Sequence, residues 1–391
     1  MHIKQIFFEN IRNHKQTKLI FEPNLNLFFG PNGSGKTSIL EAISLGTFSK
    51  SFVTKFDQNI VRNSTDYYVL EITIETENQT SAIIYILYTL GKTKVIRQEN
   101  GKLITAQNLI GRFPSVILAP DMRGIVFGAP SFRREFVDRI IAQTDKVYLN
   151  KLYELRRILK QRNKLLLDIA KGNSSGFDLL EIWTQQLIDT SVFIIKSRGD
   201  FIVKFATLFS ECFSELTNSK EVANLFYSPF SNINFNNELL QNNYPTELIY
   251  LLLKSEFEKY EKKELERGIT LFGPHRDDFI ILLNNNLASS VASQGQSKSI
   301  LVALKYAELN YLKNLKGTKP IVLLDDIFSE LDLSRVNQVL NILNNLDLQL
   351  FITLTDIDQI KPILFNFETC GLFRVENGIV SKLDQLHKSK V

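Results

Sequence analysis

The hydrophobic positions of the N-terminal part recur in short runs, which are typical of β-strands. These runs are rich in β-branched and aromatic residues and have turn signals between them. They cover residues 3–8, 17–21, 25–29, 67–75, 81–90 and 116–119. One helix, residues 37–46, is predicted between the third and fourth runs. This part of the chain is therefore predicted to be mostly β-structure around one helix.

The pattern changes between residues 131 and 267, where apolar residues repeat every three or four positions, as in amphipathic helices. Leu152, Leu155 and Ile158 show this spacing. An asparagine-rich stretch at 231–244 interrupts the pattern and is predicted to be an exposed loop. Further elements are predicted as strands at 279–283, 321–324 and 350–354 and a helix at 296–315. The pattern predicts an α/β body split by a helical insertion.

The loop between the third strand and the first helix carries the clearest chemistry. Residues 30–37 read Gly-Pro-Asn-Gly-Ser-Gly-Lys-Thr and match the phosphate-binding pattern G-x-x-x-x-G-K-[ST]. The backbone N–H groups of such a loop surround phosphate oxygens, and the helix N-terminus adds its dipole. We expect Lys36 to reach the β- and γ-phosphates and the Thr37 hydroxyl to bind Mg²⁺. The predicted nucleotide-binding residues are Gly30, Pro31, Asn32, Gly33, Ser34, Gly35, Lys36, Thr37 and Ser38.

A second half of the same site is predicted at residues 321–326, which read Ile-Val-Leu-Leu-Asp-Asp. The four apolar residues indicate a strand buried on both faces, as in a Walker B motif. Asp325 is expected to hold the Mg²⁺, and Asp326 is expected to orient or deprotonate the attacking water. Asp326 and Lys36 are the predicted catalytic residues. Asp325 lies 289 residues after Lys36 (325 − 36), so a large segment is inserted between the two halves.

A third motif, Ser-Gln-Gly-Gln at 293–296, stands 32 residues ahead of Asp325 (325 − 293). Alone, such a string indicates a loop followed by a helix N-cap. ATPases of the ABC and SMC kind carry a similar signature at a helix N-terminus and present it to the nucleotide of a second subunit. On that interpretation Ser293, Gly295 and Gln296 bind nucleotide. Residues 329–332, Ser-Glu-Leu-Asp, lie where those families have a D-loop.

Composition adds bounds without choosing a mechanism. At 391 residues and 44% hydrophobic content, the chain is long enough for two or three domain-sized units. A net charge of +4 permits an anionic partner. Cys212 and Cys370 form no disulfide or metal pattern, and no apolar run reaches membrane-spanning length. We expect a cytoplasmic protein with no membrane span.

Several further segments make the chain resemble the RecF family of bacterial recombination-mediator ATPases over residues 3–391. The most distinctive are Gly-Pro-His-Arg-Asp-Asp at 273–278 and the pair Arg133 and Arg134. Further matches lie at 119–121, 128–131 and 160–163, and the resemblance is weakest in 75–110 and 217–245. The sequence departs from the family pattern at Ile11, Thr184 and Lys298, and none of these departures removes a catalytic group.

The resemblance implies an α/β fold, namely a P-loop ABC/SMC-like ATPase head with an inserted, mostly helical second lobe. The predicted ATPase lobe comprises residues 1–118 and 318–391, and the predicted helical lobe comprises residues 119–317 with the signature and the DNA-facing helices. The implied cofactors are ATP and Mg²⁺. The implied function is an ATP-dependent homodimer with slow hydrolysis at gapped DNA, at junctions of duplex and single strand, in DNA repair. The implied protein partners are RecR and RecO, with RecA loaded indirectly.

Basic residues supply the DNA-binding candidates. Residues 146–171 carry eight lysines or arginines against two acids, as a phosphate-facing helix would. Arg133 and Arg134 are equally compatible with cross-linking helices. Arg12 either touches the bound phosphates, as in SMC-like heads, or is an ordinary arginine at a strand end. The DNA-binding candidates are Arg133, Arg134, Arg156, Arg157, Lys160 and Arg162.

Two other functions are disfavoured by the sequence, and a third stays open. The ATP-hydrolysing subunit of a membrane transporter would carry a switch histidine after Walker B, whereas residues 351–355 read Phe-Ile-Thr-Leu-Thr. A small-molecule P-loop kinase would need no Ser-x-Gly-Gln signature. A non-hydrolysing, ATP-gated clamp is compatible with the sequence, because Asp326 is one methylene shorter than the glutamate of ABC enzymes.

Overall fold

The computed structural model describes residues 1–76, 80–172, 176–229, 245–327, 342, 346, 348–357 and 369–383. The chain divides into two compact units, residues 1–122 with 312–391 and residues 123–311. The boundaries of the predicted lobes differ from these by four residues (122 − 118) and by six (317 − 311). The functional roles assigned to the lobes stay predictions. The predicted D-loop at 329–332 and the asparagine-rich stretch at 231–244 lie outside the described residues.

The described elements are numbered along the chain. The strands are β1 (His2–Ile11), β2 (His14–Ile20), β3 (Leu25–Phe29), β4 (Tyr67–Glu75), β5 (Ser81–Thr89), β6 (Val95–Gln98), β7 (Leu103–Ile104), β8 (Ser115–Leu118), β9 (Ala223–Ser228), β10 (Asp278–Leu283), β11 (Asn286–Leu287), β12 (Ile321–Asp325), β13 (Leu350–Leu354), β14 (Cys370–Glu376) and β15 (Ile379–Leu383). The helices are α1 (Lys36–Phe48), α2 (Ala106–Leu109), α3 (Gly124–Phe127), α4 (Pro130–Thr144), α5 (Lys146–Ala170), α6 (Phe177–Thr217), α7 (Thr246–Arg267), α8 (Ala288–Val291) and α9 (Gln294–Lys316).

The first unit contains two six-stranded sheets. One is antiparallel, in the order β2-β1-β4-β5-β6-β7, and the other is mixed, in the order β15-β14-β3-β13-β12-β8. Helix α1 is buried on nearly all sides, and its apolar residues pack into one core with residues of both sheets. In the mixed sheet β13 lies between β3 and β12 and is parallel to both. The carboxyl ends of these three strands therefore lie along one edge of the sheet.

The second unit combines helices with a three-stranded antiparallel sheet in the order β11-β10-β9. Helix α5 begins at the N-cap Asp145, whose carboxylate accepts hydrogen bonds from the N–H groups of Val147 and Tyr148. Strand β9 interrupts the region that the sequence predicts to be mostly helical. Its residues alternate between buried and half-buried positions, the two-residue period of a strand. Because β9 has only six residues, its pattern is easily lost between long helical runs.

Candidate nucleotide-binding site

The three glycines of the loop at residues 30–37 have backbone conformations that disfavour side chains, and two of them also have no room for a Cβ atom. Gly30, Gly33 and Gly35 have φ values of +150°, +77° and +112°. A Cβ atom on Gly35 would lie 2.5 Å from the imidazole Nε2 of His14, and one on Gly30 would collide with the carbonyl oxygen of Val375. The loop therefore turns its backbone tightly over neighbouring strands, as a phosphate-binding loop must.

Lys36 is held beneath this loop. Its ammonium group donates hydrogen bonds to the carbonyl oxygens of Gly30 at 2.7 Å and Pro31 at 2.8 Å. Burial lowers the pKa of Lys36, while the nearby carboxylates of Asp326 and Asp325 act in the opposite direction. The loop thus holds the ammonium group of Lys36 in place. Little side-chain freedom would therefore be lost when Lys36 binds a phosphate.

The two halves of the predicted site meet at Thr37 and Asp325. The Thr37 hydroxyl lies 2.9 Å from Oδ1 and 3.1 Å from Oδ2 of Asp325, although the residues are 288 positions apart. Burial raises the pKa of Asp325, and hydrogen bonds from Thr353 and Thr37 oppose that rise. A hydroxyl and a buried carboxylate are hard oxygen ligands, and a cation beside them would favour the ionised carboxylate. These residues therefore fit a Mg²⁺ ion.

A depression of about 260 Å³ lies over these groups. Its lining contains most of the predicted loop residues together with Arg12 and the candidate base Asp326. The lining residues are Arg12, Asn13, Asn32, Gly33, Gly35, Lys36, Thr37, Ser38, Asp326 and Thr353. All of them belong to the first unit, so one unit holds the phosphate loop, the Walker B carboxylates and the arginine in question.

Arg12 is tied to the phosphate-loop helix. Its Nε and Nη2 groups donate to the two carboxylate oxygens of Glu41 at 2.8 and 2.9 Å, and its Nη1 group donates to the carbonyl oxygen of Asn59 at 2.7 Å. Such a bidentate pair fixes the plane of the guanidinium group. Arg12 also has a φ of +54°, a conformation that L-residues adopt infrequently. These contacts hold Arg12 at the wall of the depression, and its contact with phosphate stays a prediction.

His14 and Asn13, which the sequence did not single out, contact carbonyl oxygens of the loop. The Nε2 atom of His14 lies 3.0 Å from the carbonyl oxygen of Gly35, and its Nδ1 atom lies 3.0 Å from the Thr17 hydroxyl. Since a carbonyl only accepts, Nε2 must carry the proton. The side-chain amide of Asn13 donates to the carbonyl oxygen of Ser34 at 2.9 Å. The sequence feature that could have pointed to these two residues is their position directly after Arg12, in the turn between two predicted strands.

A third missed residue, Thr353 of β13, contacts both Walker B acids. Its hydroxyl donates to Oδ1 of Asp325 at 2.7 Å and accepts from the backbone N–H of Asp326 at 2.9 Å. Asp326 has a φ of +45°, so the chain turns sharply after β12. The sequence predicts this strand but gives no register, and register is what places Thr353 opposite Asp325.

The predicted signature begins helix α9 in the second unit. The Ser293 hydroxyl accepts from the N–H of Gln296 at 3.2 Å, and the Gln296 side chain accepts from the N–H of Ser293 at 2.7 Å. This reciprocal pair is a capping box. Ser293 is exposed and Gly295 is half-buried. The helix N-cap foreseen for this string is therefore present, and its role toward a nucleotide stays a prediction.

The basic candidates on helix α5 differ in their exposure to solvent. Arg156, Arg157 and Lys160 are exposed, as a DNA contact requires. The prediction for Arg162 is wrong, since this side chain is only 1% exposed and its Nη2 group pairs with Oε2 of Glu264 at 2.5 Å. The reason is helical phase, because Arg162 follows the buried Ile158 by four positions and lies on the inward face.

Arg133 and Arg134 link parts of the second unit. Arg133 makes a bidentate pair with Asp278 at 2.8 and 2.9 Å, and Nη1 of Arg134 donates to the carbonyl oxygen of Asp277 at 2.5 Å. Both contacts join α4 to the Gly-Pro-His-Arg-Asp-Asp segment. Of the two interpretations left open by the sequence, the geometry favours cross-linking over DNA contact.

Comparisons with known proteins agree with the geometry. The family described as RecF/RecN/SMC N terminal domain matches residues 2–381. The "DNA replication and repair protein RecF" of Chloroherpeton thalassium is 33% identical over 91% of this chain and 95% of its own length. The protein of the same description from Staphylococcus aureus is 33% identical over 98% of this chain and 100% of its own. The chain belongs to the RecF family.

Solved structures extend the likeness to the fold. The recombination mediator RecF with ATP, described as part of the RecFOR pathway, is 32% identical, covers 98% of each chain and has a TM-score of 0.88. An Smc head domain derived from Pyrococcus furiosus is 15% identical and covers 98% of this chain and 96% of its own, with a TM-score of 0.56. The predicted SMC-like head fold and family are thus confirmed. In the part of the chain that the structure describes, no helix has the length and apolar character needed to cross a membrane.

Proposed function

We propose that this chain is an ATP-dependent DNA clamp of the RecF type, which dimerises on ATP at gapped DNA and promotes loading of RecA in recombinational repair. The observation that carries the proposal is the Thr37 hydroxyl held on both oxygens of Asp325. This contact assembles a phosphate loop and a Walker B carboxylate into one site. The solved RecF–ATP relative, with a TM-score of 0.88, supports ATP as the nucleotide.

The roles of the side chains follow from their positions. Backbone N–H groups of the loop would bind the phosphates, and Lys36 would add its ammonium charge. Thr37 and Asp325 would hold Mg²⁺, which supplies charge neutralisation at the β- and γ-phosphates. Asp326, at the lining of the depression, would orient a water molecule for slow hydrolysis. A clamp that binds ATP without hydrolysis differs only in this last role.

Dimerisation assigns a role to the signature. Ser293 is exposed at the N-terminus of α9, where the dipole of the helix favours an anion. In a two-fold dimer, the loop of one subunit and the signature of the other would form each composite site. ATP would then join the subunits because both contribute to its binding.

The DNA and protein partners rest on separate support. The exposed Arg156, Arg157 and Lys160 on α5 are suited to phosphate contacts. The description of the solved relative names the RecFOR pathway, which supports RecR and RecO as partners. Junctions of duplex and single strand are the DNA we propose, by analogy with the family.

The proposal is tested by light scattering after size exclusion, with and without ATP and gapped DNA. We expect a monomer without nucleotide and a dimer with ATP. Ser293→Arg should bind ATP as a monomer, and Lys36→Ala should not dimerise. A mixture of the two variants should regain partial dimerisation, because one composite site then stays intact while the other carries both defects.

Two outcomes would overturn this account. Full ATP-dependent dimerisation of Ser293→Arg alone would remove the signature from the site. An ATP-independent monomer–dimer equilibrium would remove ATP as the trigger. Nothing in the described residues favours the transporter subunit.

A further inference from the structure

The strand between the two halves of the nucleotide site carries a polar residue at its buried carboxyl end. Thr353 lies in β13, in register with Phe28 of the phosphate-loop strand on one side and with Asp325 on the other. Its side chain is fully buried, although it contributes to the lining of the depression. A valine would have the same shape and suit a buried parallel strand at least as well. The hydroxyl therefore needs an explanation beyond packing.

The hydroxyl of Thr353 uses its proton and a lone pair on two different acids. It donates to Oδ1 of Asp325 at 2.7 Å and accepts from the backbone N–H of Asp326 at 2.9 Å. The first contact fixes the rotation of the carboxylate. The second holds the backbone at the point where Asp326 adopts a φ of +45°. One side chain thus sets the direction of the predicted metal ligand and of the predicted base.

The Thr37 hydroxyl also contacts Asp325, and its lone pairs stay available to Mg²⁺, for which Thr37 is a predicted ligand. Thr353 is not among the predicted Mg²⁺ ligands, and its hydroxyl is hydrogen-bonded to both Walker B acids. We propose that Thr353 is a positioning residue, which orients the Asp325 carboxylate for Mg²⁺ and fixes the turn that carries Asp326. This inference rests on the proposed binding of Mg²⁺ and ATP at the loop.

The test uses two substitutions that separate shape from hydrogen bonding. Thr353→Val keeps the branched shape and removes the hydroxyl, whereas Thr353→Ser keeps the hydroxyl and removes the methyl group. The matched control is Thr47→Val, because Thr47 is also fully buried in the first unit and its hydroxyl bonds only helix carbonyls, at 3.2 and 3.4 Å.

The readout is the affinity for ATPγS by calorimetry, in Mg²⁺ and in EDTA. Removing a hydrogen-bond partner of a metal-binding carboxylate typically reduces metal affinity about 10- to 100-fold. We expect Thr353→Val to lose the Mg²⁺-dependent gain in affinity by about that factor, with its affinity in EDTA unchanged. Thr353→Ser and Thr47→Val should keep the gain.

Thermal unfolding of the nucleotide-free protein shows whether each variant is folded. Equal losses of affinity in Mg²⁺ and in EDTA would show that Thr353 is only structural, and an undiminished gain in Thr353→Val would show that it does not act on Asp325. If Thr353→Val does not fold, Thr353→Ala, which imposes no bulk, is measured in the same way. A wild-type protein with no Mg²⁺-dependent gain would instead contradict the proposed function itself.

Discussion

The buried Arg162 makes a specific prediction about the stability of the second unit. Its guanidinium group donates to Oε2 of Glu264 at 2.5 Å and to the hydroxyls of Thr184 and Thr270 at 3.0 and 2.9 Å. Its carbon Cζ lies 5.4 Å from the ring centre of Phe272. The second oxygen of Glu264 accepts from a backbone N–H. These contacts join α5, α6 and α7, so we expect Arg162→Met to destabilise the unit.

The size of the effect follows from the charge that is left behind. Arg162→Met keeps an apolar chain of similar length but leaves the Glu264 carboxylate buried, with a side chain only 1% exposed. Breaking a buried pair by removal of one partner costs about 3–5 kcal/mol. In a unit of this size each kcal/mol lowers the melting temperature by about 2–4 °C, which gives a shift of roughly 6–20 °C.

The assay is favoured by the single tryptophan of the chain. Trp183 is in α6, beside Thr184, so its fluorescence reports on the second unit during heating or in urea. Lys160→Met is the matched control, because Lys160 is exposed two positions earlier on the same helix, and its loss should change stability by less than about 0.5 kcal/mol. Glu264→Gln combined with Arg162→Met should restore part of the loss, since the remaining amide carries no charge.

Two results would refute this reasoning. One is a loss of stability of less than about 1 kcal/mol in Arg162→Met, because a buried carboxylate without its partner should destabilise the unit by more than that. The other is a double variant whose loss of stability equals or exceeds the sum of the two single losses. Coupled neighbours show interaction energies of about 0.5–3 kcal/mol, so the loss in the double variant should be smaller than that sum.

The remaining predictions concern the nucleotide and DNA. Lys36→Ala should abolish ATP-driven dimerisation, because loss of a charge-assisted contact costs about 1.5–3 kcal/mol; unchanged nucleotide affinity by calorimetry would contradict this. Asp326→Asn should bind ATP and dimerise but not hydrolyse it, and a wild-type rate of phosphate release would assign the water to another group. Neutralising Arg156, Arg157 and Lys160 together should flatten the salt dependence of duplex binding by a log–log slope of about 0.9 per lost contact, with ATP affinity unchanged; an unaltered slope would make this surface an ordinary solvated one.

The parts of the fold that the sequence predicts best are those in which local pattern and final environment agree. Residues 25–29, 321–325 and 350–354 are almost continuously apolar, and all three form strands inside the mixed sheet. The phosphate loop is equally local, because one stretch of eight residues specifies its turn. For such segments a sequence window contains nearly all the physical information that is needed.

The parts that could not be predicted depend on partners far along the chain. The count of basic residues in 146–171 treats the helix as one charged surface, whereas burial depends on phase and on Glu264, which lies 102 positions from Arg162. His14 contacts the loop 21 positions away, and Thr353 contacts an acid 28 positions away in a neighbouring strand. Histidine in a turn and threonine in a strand are ordinary residues, so only the packed structure shows which groups His14 and Thr353 contact.

The order of strands explains how a site can be divided by so long an insertion. Strand β13 lies between β3 and β12, so the phosphate loop and the Walker B acids start from strands that are not adjacent. The contact of Thr37 with Asp325 must therefore pass over the carboxyl end of β13, where Thr353 is found. Parallel pairing fixes all three carboxyl ends at one edge, irrespective of what the chain does between them. The nucleotide site thus depends on the register of three strands of one sheet, and the second unit contributes none of these strands.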